Sequence, residues 1–114
     1  MTKTATKFNP SLTDEQWDQA KKGYTAEAYV ALGMTAIVRK NYADAITNYK
    51  LSVDTDPSNS ATFVRLGAAQ VSAAKYDDAI ATLDKVLAMP GVDAAIANYA
   101  KGEKEKAVKA KGAK

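Results

Sequence analysis

The sequence predicts an all-α fold, an α-solenoid of stacked antiparallel helical hairpins, and three observations carry that prediction. The chain repeats itself at a spacing of 34 residues: Tyr29, Leu32, Gly33, Tyr42, Ala45, Ile46 and Tyr49 return as Phe63, Leu66, Gly67, Tyr76, Ala79, Ile80 and Leu83. A period of this length marks units that are each one helical hairpin, too small to bury their own apolar face and therefore stacked. Within the first unit, Tyr29, Leu32 and Ala36 follow the i, i+3, i+7 spacing of an amphipathic helix. Glycine recurs mid-helix at Gly33 and Gly67, where it costs about 1 kcal/mol relative to alanine. Accepting that cost twice, at matched positions, predicts a neighbouring backbone too close for a side chain. Ala45 and Ala79 make the same case from the second helix of each unit.

Each element follows from local signals. Residues 1–12 form an irregular lead-in containing Asn9-Pro10. Thr13 followed by Gln16 is a capping-box pattern, with Asp14 and Glu15 placed for a first helical turn. A short helix over 14–22 is expected to stop at Gly23, its Trp17 covering the open end of the first repeat. Thr25 then caps a helix over 26–39, and Lys40-Asn41 turns the chain into its partner over 42–53, which Asp56-Pro57 ends. The second hairpin repeats the plan over 61–73 and 76–87, and Met89-Pro90-Gly91 stops it. Asp93 caps a terminal helix over 94–101, with Ile96, Tyr99 and Ala100 on one face, interrupted at Gly102. One domain over 13–101 results (repeat one 26–59, repeat two 60–92), followed by a lysine-rich tail over 102–114 read as solvated.

Bulk properties narrow the function classes. A chain of 114 residues is one domain that buries roughly two-thirds of the surface its unfolded form exposes. No apolar run approaches the roughly 20 residues of a membrane-spanning helix, so no membrane insertion is expected. Met1 to Pro10 lacks an apolar signal core, which points to the cytoplasm unless an export signal has been removed. With no cysteine and no histidine, disulfides, thiolate chemistry and Cys/His metal sites are excluded, and no cofactor is implied. The net charge of +3 resides in the ends: Lys3 and Lys7 at the start, and six lysines against Glu103 and Glu105 over 101–114. The body is acidic, so nucleic acid is not the indicated partner.

Catalysis finds little support. The acidic pairs Asp54/Asp56 and Asp77/Asp78 lie at helix ends, where they serve termination and the helix dipole. No glycine-rich phosphate loop occurs. The chain reads as a non-enzyme.

Tyr29-x2-Leu32-Gly33-x2-Ala36 with Ala45-x3-Tyr49 and Pro57, repeated as Phe63-x2-Leu66-Gly67-x2-Gln70 with Ala79-x3-Leu83 and Pro90, resembles the tetratricopeptide repeat over residues 26 to 91. Ala36 and Gln70 replace the usual tyrosine, and Pro90 falls one residue early. The resemblance implies a concave groove lined by the first helix of each hairpin. Carried onto this chain, the groove face is Glu27, Val30, Ala31, Met34, Ile37 and Val38, then Ala61, Val64, Arg65, Ala68, Val71 and Ser72. It further implies a protein or peptide partner, in the manner of an adaptor or scaffold. The carboxylate grip of chaperone adaptors in this family is not matched: Val30, Met34 and Ala61 stand where hydrogen-bonding side chains are needed.

The groove strip is mostly apolar, and three occupants compete for it. It can receive a peptide or helix from another protein, be covered by a terminal helix of this chain, or form a homo-oligomer interface in a self-assembling scaffold. The expected role is a non-catalytic interaction module, with self-assembly through the groove face as the alternative. If the face is open, Met34→Glu with Val64→Glu leaves the fold intact.

Overall fold

The computed structural model describes residues 13–112, and all the regular structure among them is helical. Five helices follow in order: α1 (Asp14–Val38), α2 (Tyr42–Thr55), α3 (Ser60–Ser72), α4 (Tyr76–Ala88) and α5 (Ala94–Gly112). Helices adjacent in the chain pack on one another, and α3 also packs on α5. The radius of gyration of 16.6 Å exceeds the roughly 13 Å of a globule of about 100 residues. The longest dimension is 63 Å and the shortest 18 Å, an elongated slab.

Thr13 starts α1 as its spacing predicts. Its hydroxyl accepts from the Gln16 amide, and the Gln16 side chain accepts from the Thr13 amide, both at 3.0 Å. The expected break at Gly23 is absent, and α1 runs unbroken through Gly23 and Thr25 for 25 residues. Glycine in a helix is a cost of about 1 kcal/mol, not a stop, unless a left-handed turn or a proline follows. Neither does here. The helix is therefore about 37 Å long, and its first turns project past the end of α2, since Gln19, Lys22 and Gly23 already lie beside Thr55–Ser58.

The two hairpin turns are the same turn. Lys40 (φ 59°) and Ala74 (φ 64°) adopt the left-handed conformation, again 34 residues apart. In the first, the Lys40 amide donates to the Ile37 carbonyl and the Asn41 amide to the Ala36 carbonyl. In the second, Ala74 donates to Val71 and Lys75 to Gln70. These pairs close a Schellman motif at the end of each first helix. Asn41 and Asn59 then cap α2 and α3, each accepting from the backbone amide three residues on.

The core is built from the repeated positions. Ala45, Ala79, Leu83 and Val86 are fully enclosed, with Ile46, Tyr49, Phe63 and Leu66 around them. The glycines need correction in one respect: the close neighbour is a side chain, not backbone. A Cβ on Gly33 would collide with the Tyr49 ring, and one on Gly67 would sit 2.6 Å from Leu83 Cδ2. Each second helix thus presses an enclosed side chain, Tyr49 or Leu83, into the notch of the first. Between the hairpin helices, the buried Ser52 hydroxyl donates to the Ala26 carbonyl at 2.8 Å, and the Thr82 hydroxyl donates to Gln70 Oε1 at 2.7 Å.

Leu32 departs from its expected packing role. Leu66, its counterpart, is 4% exposed in a crevice it shares with Val53 of α2, whereas Leu32 is 54% exposed. The sequence position is equivalent, but among the described residues no helix precedes α1 to cover it.

The C-terminal end also differs from expectation. In place of a helix ending before Gly102 and a solvated tail, α5 continues for 19 residues to Gly112. Ala100 and Ala107 are fully buried on it, and Glu103 between them is 6% exposed. Lys104 pairs with Asp84 at 2.6 Å and Lys111 with Asp77 at 2.5 Å, tying α5 to α4. Opposite charges on α4 hold what the sequence presents as a free basic segment. Asp93 does cap this helix, accepting from the Ala95 amide at 3.0 Å.

Candidate functional site

Helices α1, α3 and α5 are walls of one groove of about 550 Å³ whose floor includes Tyr49 of α2. On α3, residues at i, i+3, i+4, i+7 and i+8 from Ala61 line it: Ala61, Val64, Arg65, Ala68 and Ala69. That spacing places them on one helical stripe. Val64 and Ala69 are buried and form the bottom, while the Arg65 side chain stands exposed at the edge. From α1, Ile37 reaches the groove near the hairpin turn. From α5 come Ile96, Tyr99, Glu103 and Lys106, also on one stripe.

The polar groups form two small sets. Arg65 stands beside the Tyr49 hydroxyl; burial pushes the phenol above its usual value of 10.0, and the guanidinium opposes that shift. Glu103 pairs with Lys106 at 2.8 Å, and this bond raises the ammonium above its ordinary value. Arg65 has no carboxylate within ion-pair distance among the described residues, so the pairing with Glu27 that its charge allows is not made. The groove therefore has an apolar floor, one uncompensated cation and one internally neutralised pair.

Of the residues expected on the groove face, Ile37, Val64, Arg65 and Ala68 come together, as do Ala61 and Ser72. Glu27, Val30, Met34 and Val71 do not line it. Val30 instead packs against the buried cluster, and Glu27 and Met34 stand in solvent on α1. The reason is the arrangement of helices: α1 packs chiefly on α2, whereas α3 packs on α2, α4 and α5. The centre of the groove accordingly lies on α3 and α5, away from Met34. Val64 is only 5% exposed, so a glutamate there buries a charge whether or not the groove is open.

Sequence reasoning missed the α5 wall. Ile96, Tyr99, Glu103 and Lys106 are spaced at i, i+3, i+7 and i+10, the signal of a shared helix face. Reading Gly102 as an interruption hid it. Of the acidic pairs, Asp56 accepts from Ser58 in the turn before α3, and Asp77 pairs with Lys111. No group of three or more His, Cys, Asp or Glu side chains among the described residues is arranged to hold a metal ion. No described helix is long and apolar enough to cross a membrane.

Compared with known proteins, the chain matches no family model, no curated protein and no solved structure.

Proposed function

We propose that this chain is a non-catalytic interaction module, two tetratricopeptide-like hairpins closed by α5, that receives a peptide or helix in the groove between α1, α3 and α5. The observation that carries the reading is the groove itself. The groove, of about 550 Å³, pairs an apolar floor with a few polar groups at its edge, and an apolar groove edged in this way can take the side chains of a docked peptide or helix. Val64 and Ala69 supply the floor, Ala68 and Ile96 add apolar wall, and Tyr49, Arg65 and the Glu103–Lys106 pair supply the polar groups. The 34-residue recurrence of glycine, αL turn and enclosed side chain supports the repeat assignment.

The test is selection of peptides from a random library on the immobilised protein, followed by titration against two variants. Ala68→Glu and Tyr99→Ala alter partly exposed groove residues, so folding is expected to survive, as checked by circular dichroism. At least tenfold weaker binding by both supports the groove. Peptides that bind both variants as well as the parent chain would sink the proposal, as would a library that yields no binder.

A further inference from the structure

The charges of the groove bear on what its occupant must carry. Three charged side chains line it, and two of them, Glu103 and Lys106, neutralise each other at 2.8 Å. Arg65 is left over, with no carboxylate in ion-pair distance among the described residues. Its own helix offers none: the positions three and four residues away are Ala61, Thr62, Ala68 and Ala69. Carboxylates on the other helices and turns are engaged elsewhere, Asp44 with Asn41, Asp56 with Ser58, and Asp77 and Asp84 with lysines of α5.

Filling the groove changes the surroundings of that cation. The floor beside it, Val64 and Ala69, is buried and apolar, so an occupant strips water from the guanidinium. A charge that loses water without gaining a partner is strongly unfavourable. The Tyr49 hydroxyl beside it is a single neutral oxygen, whereas a guanidinium holds five N–H donors in a planar fork. A carboxylate answers that fork with two parallel bonds and the opposite charge. A cationic side chain would be repelled by Arg65, and Glu103, already paired, does not call for one.

Position selects the source of the carboxylate. Along α3 the groove runs from Ala61 to Ser72, about 16 Å at the helical rise. Arg65 lies inside that run, about 6 Å from one end and about 10 Å from the other. A segment that fills the groove passes Arg65 partway along, where only a side chain brings a carboxylate. A chain terminus placed there would leave part of the groove empty.

Taking the groove as the binding site, we infer that it selects peptide segments with an internal Asp or Glu beside apolar residues, the carboxylate docking on Arg65 while the apolar side chains meet Val64, Ala68 and Ile96. The probe is the tightest library peptide that loses binding to Ala68→Glu and Tyr99→Ala, resynthesised with acetylated and amidated ends. It is titrated by calorimetry against the full chain, Arg65→Gln and Arg65→Glu. Arg65 is exposed, and circular dichroism checks that both variants keep their helices. In parallel, each acidic residue of the peptide is changed to its amide, which leaves the protein untouched. One such change is expected to weaken binding to the parent chain by about fivefold or more, and to make no difference to Arg65→Gln. Changing that same acid to lysine is expected to make the peptide prefer Arg65→Glu over the parent chain. A groove-dependent peptide with no Asp or Glu, or one that binds the parent chain and Arg65→Gln equally, overturns the inference and leaves the groove reading standing. So does a peptide that binds only with a free C-terminal carboxylate. If no peptide responds to Ala68→Glu and Tyr99→Ala, the groove reading falls and this inference falls with it.

Discussion

Gly67→Ala tests the notch that Leu83 fills, and two opposing effects set its sign. Alanine in place of glycine within a helix gains about 1 kcal/mol from propensity. The added Cβ, however, would sit 2.6 Å from Leu83 Cδ2 and 2.7 Å from Cγ. Turning the methyls about χ2 leaves Cγ where it is, and enclosure of Leu83 leaves no room for a new χ1 rotamer. Leu83 is fully enclosed, so it must displace its neighbours by several tenths of an ångström, and overpacking of this kind costs about 1–3 kcal/mol. The cost exceeds the gain, and a net loss of about 1 kcal/mol is expected, a fall in Tm of roughly 4–8 °C for a domain of this size. Gly23→Ala is the reference: nothing lies within 4 Å of its Cβ, so propensity acts alone and Tm is expected to rise. In a Leu83→Ala background the notch is empty, and Gly67→Ala is expected to become stabilising. Thermal and urea unfolding of the four variants read all three signs. If Gly67→Ala raises Tm as Gly23→Ala does, or if its effect is unchanged in the Leu83→Ala background, the notch argument is refuted.

Other expectations follow from the turns, the tail and the one buried phenol. Ala74→Gly relieves a left-handed alanine at φ 64° and is expected to add about 0.5–1 kcal/mol, seen as a higher urea midpoint with unchanged slope; no gain would mean that the αL turn is not formed. Ending the chain after Lys101 removes the buried Glu103 and Ala107 and both pairs to α4, so a clear drop in Tm is expected; a solvated tail would leave Tm unmoved. Tyr49 titrates above 10.0 when folded, so its share of stability is full below pH 10 and is lost as pH rises through the folded value. Tyr49→Phe is therefore expected to flatten the decline between pH 9 and 11 relative to the parent chain; parallel curves would show that the phenol is not desolvated.

What the sequence made legible was what repeats. Gly33 and Gly67, Ala45 and Ala79, and the capping box at Thr13 announce their roles because each answers a local geometric demand, twice or with a reciprocal partner. The ends were not legible, because no period extends there. Gly23 and Gly102 look alike as breaks, yet both lie inside helices, since glycine only lowers helix stability and tertiary contacts decide the rest. For α5 those contacts are Ala100 and Ala107 against the body and two lysines reaching Asp84 and Asp77. The partner charges lie about 20 to 34 residues away in sequence, so no local pattern reveals them. The α5 wall of the groove was hidden for the same reason.

The two ends of the helix array are finished differently. A stack of hairpins always leaves one apolar face at each end, and a terminal element with a polar outer side is the usual remedy. At the C-terminal end, α5 supplies it, burying Ala100, Glu103 and Ala107 while presenting Lys101, Glu105 and Lys109 to solvent. At the other end, α1 is itself a hairpin helix and presents Leu32 and Tyr24. Had α1 broken at Gly23, its first turns could have folded across that face. Continuity through Gly23 removes this option, because a straight helix cannot cover its own side. One glycine that does not bend the chain thus carries the first turns of α1 past Thr55–Ser58 instead of back across Leu32.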